Sequence, residues 1–164
     1  MNKFWLNTSI IAVFCAVAFY LYVKFRVAPD IDFVKLNLTN LEGKNIKFSE
    51  LRNKATFLSF STSWCGACIE ELIELKSLRE KNELQEISIV VVSDEPLNVI
   101  RNFKEVHQFD FEFYSVNKPF SEIGINTIPS NYFLNKKFEI VEKHIGEVNW
   151  SDPSTQNYYL KLMQ

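Results

Sequence analysis

Glycine, proline and cysteine are scarce in this sequence of 164 residues, with four, five and three copies respectively. So little glycine and proline excludes a collagen-like chain, and fifteen phenylalanines supply the apolar area that a disordered chain lacks. Neither sign of charge dominates, since 18 basic side chains stand against 20 acidic ones, which argues against a nucleic-acid partner bound through its phosphates. Three cysteines are too few for a disulfide scaffold or a four-cysteine zinc site.

A long uncharged segment lies near the start of the chain. No charged residue occurs from Phe4 to Val23, and as a helix these twenty residues would span about 30 Å, the thickness of the hydrocarbon core of a bilayer. We predict that residues 1–24 form a transmembrane anchor and that residues 25–33 form a tether. A signal peptide cleaved at Ala16-Val17-Ala18 and a buried helix remain as alternatives.

Residues 34–164 have the length of one domain, and their apolar pattern alternates between strands and helices. The predicted strands lie at Val34–Leu38, Ile46–Phe48, Ala55–Ser61, Ile87–Ser93, Phe111–Val116, Asn131–Leu134 and Phe138–Ile145. Three helices are predicted, from Cys65 to Lys81, from Asp94 to about Gln108 and from Asp152 through Leu162, with a helical turn at Pro119–Ile123. In the second helix Asp94 is the expected N-cap, and the apolar positions are Ile100, Phe103 and Val106. This pattern predicts an α/β fold with helices packed around a mixed sheet.

Two cysteines occur in the motif Trp64-Cys65-Gly66-Ala67-Cys68, where a predicted strand ends and a helix begins. At the start of a helix, Cys65 would lie beside unpaired backbone N–H groups, which stabilise a thiolate. Cys68 is close enough to resolve a mixed disulfide formed by Cys65, and its phase on the helix points it inward. The spacing therefore favours a redox-active dithiol with Cys65 as the attacking sulfur.

Three other interpretations of the cysteine pair remain open. A zinc site would need two further ligands, and beyond residue 25 the chain offers only His107 and His144. A purely structural disulfide across four residues closes too short a loop to stabilise the fold much. Two buried, unreactive cysteines are the third alternative, although a strand-to-helix junction is a poor place to bury Cys65.

The motif and the Phe57-Leu58-Ser59-Phe60 strand before it resemble the active site of the thioredoxin superfamily. From about Val34 to Trp150 the chain resembles the membrane-anchored TlpA/ResA-type thiol-disulfide reductases, which implies a thioredoxin fold with an N-terminal hairpin and an inserted helix and strand. The loop from Gly124 to Ser130 resembles the cis-proline loop of that family. The resemblance assigns substrate binding to Trp64, Ile128 and Pro129, with a cis bond before Pro129.

The resemblance also implies an acid–base group for Cys68. Thioredoxins carry a buried aspartate at the position of Ser59, whereas the TlpA/ResA type places a glutamate three residues after the second cysteine, which is Glu71 here. Side chains three residues apart are neighbours on a helix. Glu71 is therefore the predicted third catalytic residue, and a solvated helix glutamate, as expected for Glu70 and Glu74, is the alternative.

These expectations describe a membrane-tethered thiol-disulfide oxidoreductase of the bacterial cytoplasmic membrane, with its domain on the periplasmic or extracytoplasmic side. Its expected partners are proteins with disulfides and a membrane electron donor, and no nucleic acid, metal or cofactor is expected. The resemblance suggests the reducing direction and a role in cytochrome c maturation. The direction stays open because Gly66-Ala67 lacks the proline of general thioredoxins and the histidine of strong oxidants.

Two other functions are weighed against this one. A thiol peroxidase of the peroxiredoxin type is suggested by Thr62, three residues before Cys65, but Leu58 stands where such sites carry a proline. A Sco-like copper-binding module would use Cys65, Cys68 and His144, but Sco-type proteins space their cysteines one residue wider.

Overall fold

The computed structural model describes residues 2–26, 29, 31–33, 36–51, 54–81 and 83–163. The uncharged N-terminal segment lies in a helix, α1 (Asn2–Arg26), and the described side chains of this helix, Ile10 to Tyr22, are exposed. Within the described part of the chain, no helix combines the length and the apolar character that crossing a membrane requires.

The rest of the chain forms one seven-stranded sheet with three further helices. The strands are β1 (Asn37–Asn40), β2 (Asn45–Lys47), β3 (Ala55–Phe60), β4 (Ile87–Ser93), β5 (Glu112–Ser115), β6 (Ser130–Leu134) and β7 (Ile140–Ile145). The helices are α2 (Gly66–Glu80), α3 (Leu97–His107) and α4 (Pro153–Leu162), with single 3₁₀ turns at Phe48–Leu51 and Phe120–Ile123. The predicted α/β fold with a mixed sheet is confirmed.

The strand order is β2-β1-β5-β4-β3-β6-β7, so the apolar run of β4 lies at the centre. β3, β4 and β5 are parallel neighbours, and α2 and α3 supply the crossovers that parallel strands require. β6 runs antiparallel to β3 and turns back into β7, which makes the predicted C-terminal hairpin. The carboxyl ends of β3 and β4 therefore lie side by side, next to the start of β6.

Each face of the sheet is covered by its own apolar cluster. On one face, leucines of α2 pack with residues of α3 and α4 against the strands; the set includes Phe57, Leu72, Leu75, Val91, Phe103, Phe133 and Tyr159. On the other face, residues from the segments before β1 and before β6 pack against the other side chains of the strands. This cluster includes Leu38, Phe48, Leu58, Val92, Phe120 and Tyr132. Alternation along each strand sends its side chains to the two clusters in turn.

The N-terminal hairpin is present with shifted bounds, because β1 pairs with β2 at Leu38 opposite Ile46. Residues 34 and 35 of the predicted first strand lie outside the described residues, as do residues 27, 28 and 30 of the predicted tether. The described remainder of that segment contacts the domain. The Phe33 ring stacks on Phe48 with ring centroids 4.6 Å apart, and Tyr132 Oη donates a hydrogen bond to the Pro29 carbonyl over 2.9 Å.

Two expectations for α3 are wrong. Asp94 does not cap this helix, which begins after Pro96 without a side-chain cap, because the Asp94 carboxylate accepts a hydrogen bond from the Phe120 backbone N–H instead. Val106 is not part of the buried stripe, since it is 68% exposed while Ile100 and Phe103 face the core.

We expect Leu75→Ala to lower the free energy of unfolding by about 2–5 kcal/mol, because it removes a fully buried side chain from the contact between α2 and the sheet. The matched control is Ile73→Ala on the same helix, whose side chain is half exposed and whose loss should cost less than about 1 kcal/mol. Chemical denaturation of the oxidised protein measures both. Equal losses in the two variants would contradict the packing described for α2.

Candidate active site

The two cysteines of the motif lie where β3 is followed by α2. β3 ends at Phe60, and a short loop leads to Cys65, which is the N-cap residue of α2. A disulfide joins Cys65 to Cys68, with their Cα atoms 5.2 Å apart, and the Cys68 backbone N–H donates a hydrogen bond to Cys65 Sγ over 3.3 Å. Because free N–H groups at a helix N-terminus stabilise a thiolate, this position favours Cys65 as the attacking sulfur.

The two sulfur-bearing residues differ in their access to solvent. Cys65 is 9% exposed, whereas Cys68 is completely buried, as the phase of the helix predicted. Trp64 lies beside them with 73% of its surface exposed, which is a large exposed fraction for the biggest apolar side chain. A partner can therefore approach at the edge formed by Trp64 and Cys65 and has no direct access to Cys68.

The predicted cis peptide bond between Ile128 and Pro129 is present. Pro129 is buried and directly precedes β6, whose first residue, Ser130, pairs with Phe60 at the end of β3. The antiparallel pairing of β3 and β6 thus places this loop beside the loop that carries the cysteines. The substrate-binding roles of Trp64, Ile128 and Pro129 stay predictions.

Glu71 is buried, with 1% of its surface exposed, on the face of α2 that also carries Cys68. Its Oε1 accepts hydrogen bonds from Asn131 Nδ2 at 2.7 Å and from the Val148 backbone N–H at 2.8 Å. Its Oε2 lies 3.5 Å from Ser59 Oγ. The solvated alternative for Glu71 is therefore wrong.

Burial raises the pKa of Glu71 from 4.5 to about 8, and the charge of Glu147 adds to the rise. The hydrogen bonds from Val148, Asn131 and Ser59 act in the opposite direction, because they stabilise the carboxylate, but they do not outweigh the loss of hydration. A pKa of about 8 lies close to the ordinary thiol value of about 8.5. A carboxyl group with a pKa in this range can both accept and donate a proton near neutral pH.

Three residues of this region were not found from the sequence. Asn131 and Val148 contact Glu71 from positions 60 and 77 residues away in the chain, and no local sequence pattern predicts such contacts. Glu95 holds the loop before Cys65, since its carboxylate accepts hydrogen bonds from the Ser63 backbone N–H at 2.7 Å and from Ser63 Oγ at 2.6 Å. Its place directly after β4, beside the end of β3, is the signal that could have identified it.

Glu74 is not the free helix glutamate that was expected. Its carboxylate accepts hydrogen bonds from the backbone N–H groups of Trp150 at 2.7 Å and Ser151 at 3.2 Å and from Ser151 Oγ at 2.7 Å. Glu71 and Glu74 therefore both bind the chain between β7 and α4, one turn apart on α2.

The described residues contain no group of three histidine, cysteine or carboxylate side chains that could hold a metal ion. The two histidines lie on different elements: His107 is at the end of α3 against the Phe109 ring, and His144 is on β7 with Nε2 3.2 Å from the Glu147 carbonyl. At the position of the peroxiredoxin proline, Leu58 is buried in the interior of β3.

Known proteins resemble this chain in both sequence and fold. Residues 27–143 match the AhpC/TSA family. The chain is 31% identical over 162 residues to the thiol-disulfide oxidoreductase ResA of Bacillus cereus, a match that covers 89% of this chain and 90% of that protein. It is 29% identical over 115 residues to the sporulation thiol-disulfide oxidoreductase A of Bacillus subtilis, covering 66% of this chain and 69% of the relative.

Solved structures agree with the fold. The crystal structure of StoA from Bacillus subtilis superposes with a TM-score of 0.57 at 25% sequence identity, over 74% of this chain and 93% of StoA. The structural match includes the dithiol-bearing α/β domain, and the sequence matches extend over most of the chain. This chain belongs to the AhpC/TSA family and, within that thioredoxin-like family, to the ResA-type thiol-disulfide oxidoreductases.

Proposed function

We propose that this protein is a membrane-tethered, extracytoplasmic thiol-disulfide oxidoreductase that reduces disulfides in other proteins through Cys65 and Cys68. The observation that carries the proposal is the placement of this cysteine pair at the N-terminus of α2, with Glu71 buried three residues after Cys68 on the same helix face. Proteins with disulfides are its substrates, and a membrane protein supplies its electrons. The reducing direction and the role in cytochrome c maturation rest on the likeness to ResA-type proteins.

The reaction proceeds in two exchanges. The Cys65 thiolate attacks one sulfur of the substrate disulfide, forms a mixed disulfide and expels the other substrate sulfur as a thiolate. In molecules whose Glu71 is ionised, a fraction that grows as the pH approaches 8, Cys68 then gives its proton to the Glu71 carboxylate. The Cys68 sulfur attacks the Cys65 sulfur of the mixed disulfide. This second exchange forms the Cys65–Cys68 bond and releases the second substrate thiolate, so two electrons pass from the protein to the substrate.

The substrate approaches at the exposed edge of the site. Trp64 offers an exposed apolar surface beside Cys65, and Pro129 lies directly before Ser130, which pairs with Phe60 at the end of β3. We assign the backbone of Ile128 to pairing with an extended segment of the substrate, as the family resemblance implies. An extended segment is held mainly through its main chain, and this mode of recognition accepts many sequences.

Membrane tethering is part of the proposal. Its support is the absence of charge from Phe4 to Val23 and the exposure of the large apolar side chains of α1, which include Ile10, Phe14, Val17 and Phe19. Exposed apolar side chains on a single helix are favourable in lipid and unfavourable in water. The described residues of the segment that follows α1 contact the domain, so the chain between helix and domain is short.

The first test traps substrates. We expect Cys68→Ser to accumulate mixed disulfides between Cys65 and substrate proteins, because the second exchange is blocked. The control is Cys65→Ser in a chain whose Cys15 in α1 is also replaced by serine, as it is in the Cys68→Ser trap; this control leaves the buried Cys68 as its one cysteine and should trap little. Non-reducing electrophoresis of native membranes and mass spectrometry of the linked proteins provide the measurement. A trap that works equally well with Cys65→Ser would contradict the assignment of the attacking sulfur.

The second test concerns the raised pKa of Glu71. The folded protein keeps a proton on this group up to about pH 8, whereas in the unfolded chain the group loses its proton near 4.5. The contribution of Glu71 to stability is therefore complete below pH 4.5 and is lost as the pH rises through about 8. We expect the stability of the wild-type protein to fall relative to Glu71→Gln, which cannot ionise, by on the order of 4 kcal/mol across this range.

The measurement is the free energy of unfolding of the oxidised protein as a function of pH. The matched control is Glu70→Gln, which removes an exposed carboxylate from the same helix and should follow the wild-type profile. If the profiles of wild type and Glu71→Gln run parallel, Glu71 does not have a raised pKa in the folded protein.

The third test examines the anchor. We expect the full chain to stay with bacterial membranes after washing with alkaline carbonate, and the double variant Val13→Arg with Val17→Arg to be extracted, because each charge in the bilayer centre costs about 3 kcal/mol. Ser9→Arg, nearer the end of α1, is the control and should remain in the membrane. An intact mass that lacks the residues up to Ala18 would show a cleaved signal peptide and contradict the anchor.

A further inference from the structure

The two oxygens of the Glu71 carboxyl group have different surroundings. Oε1 accepts two short hydrogen bonds, whereas Oε2 has one long contact with Ser59 Oγ. We propose that Asn131 is a positioning residue that, together with the Val148 N–H, reserves Oε1 as an acceptor, so that the acid–base proton is carried by Oε2 next to Ser59. This inference deepens the proposed acid–base role of Glu71 and rests on that role.

Both hydrogen-bond partners of Oε1 can only donate. A backbone N–H such as that of Val148 has no acceptor capacity, and neither has the amide nitrogen of Asn131. The two lone pairs of Oε1 are therefore occupied by hydrogen atoms of its neighbours at 2.7 and 2.8 Å. A proton on Oε1 would face these donors directly, so the neutral acid must carry its proton on Oε2.

The Asn131 amide cannot turn over to accept that proton. Its Nδ2 also donates to the Gly146 carbonyl over 3.1 Å, so both hydrogen atoms of the amide are in use. A rotated amide would bring its oxygen against the Gly146 carbonyl and Glu71 Oε1, which are both acceptors. In the described structure Asn131 Oδ1 is buried without a hydrogen-bond partner, so its orientation follows from its two donated bonds alone.

Ser59 can form a hydrogen bond with both protonation states of Glu71. Ser59 and Asn131 are directly opposed in the pairing of β3 with β6, and both are fully buried, so their side chains meet on the sheet face that α2 covers. A hydroxyl donates to a carboxylate and accepts from a carboxylic acid by rotating its own hydrogen. Glu71 can thus gain or lose its proton at Oε2 while the two bonds to Oε1 stay in place.

Other titratable groups surround this arrangement. Cys68 and Glu74 lie one turn away on α2, His144 is paired with Asn131 on β7, Glu147 follows β7, and Tyr159 comes from α4. An activity profile would therefore not report on Glu71 alone. The test therefore reads the Glu71 carboxyl group itself.

The consequence for the second exchange is a defined proton position. Cys68 S–H and the Glu71 carboxylate become the Cys68 thiolate and a carboxylic acid protonated at Oε2, with Ser59 as its acceptor. The thiolate then forms the bond to Cys65 and releases the substrate thiolate. Removing the Asn131 donor destabilises the carboxylate more than the neutral acid, because the bond to Oε1 is strongest in the ionised state.

The experiment is a pH titration of the oxidised full chain with ¹³C-labelled glutamate carboxyl groups, in which the Glu71 signal is assigned by its loss in Glu71→Gln. We expect Asn131→Leu, which keeps the side-chain size, to raise the pKa of Glu71 by about 1, a tenfold weaker acid. Asn131→Ala is a second variant with the same expected direction, should the leucine disturb the fold. Ser59→Ala should change the pKa of Glu71 by less than about 0.5, because the hydroxyl serves both states.

The matched control is Thr56→Val, which removes another buried hydroxyl of β3 that bonds to the Lys54 carbonyl and does not contact Glu71. It should leave the titration unchanged. An unchanged pKa of Glu71 in both Asn131 variants would overturn the inference, and so would a shift in Ser59→Ala as large as that in Asn131→Leu. Disulfide reduction by the wild-type protein is measured separately: if it is absent while the expected shifts occur, the proposed function fails and the proton assignment stands.

Discussion

Burial of an ionisable carboxyl group under the first turns of α2 constrains the whole active-site region. A carboxyl group removed from water is costly unless polar partners meet it. For Glu71 these partners come from Ser59 on β3, Asn131 on β6 and the backbone of Val148 after β7. One side chain therefore joins the helix to two strands and to the C-terminal part of the chain. Glu74 repeats this connection one turn later.

The site separates the exchange of electrons from the exchange of protons. Cys65 reaches solvent at the edge of the domain, where a partner can meet it, and Trp64 widens the apolar surface there. Cys68 and Glu71 lie inside, where the proposed proton transfer between them would be shielded from water. The attacking thiolate needs access, whereas a raised carboxyl pKa needs exclusion of water. A helix that begins at the surface and buries one face against the sheet meets both requirements with residues only six positions apart.

The sheet brings the remaining parts together. Since β3 and β4 are parallel neighbours, their carboxyl ends share an edge, and Glu95 after β4 can hold Ser63 in the loop before Cys65. Since β6 is antiparallel to β3, it begins at the same edge, and the loop containing Pro129 lies there as well. Three segments that are distant in the chain thus surround the disulfide. This arrangement is the one that the family resemblance in the sequence predicts, and the fold also matches that of StoA.

Local patterns in the sequence were enough to predict most elements. The apolar run of β4, the phase of α2 that buries Cys68, the hairpin of β6 and β7, and Asp152 as the cap of α4 all follow from residue spacing and appear in the structure. The misplaced cap at Asp94 has a different origin. Its carboxylate is used by the Phe120 N–H, a partner 26 residues away that no local rule could reveal.

The sequence alone determined the chemistry, because two cysteines at a strand-to-helix junction have few other uses and the helix N-terminus sets their reactivity. It also indicated Glu71, through the spacing on one helix face and the family resemblance. Only the tertiary structure decided what Glu71 is: buried, with a raised pKa, and with different partners on its two oxygens. Those properties depend on Asn131 and Val148, which reach Glu71 only when the sheet forms. Desolvation and long-range hydrogen bonds arise from tertiary packing, which local sequence patterns do not specify.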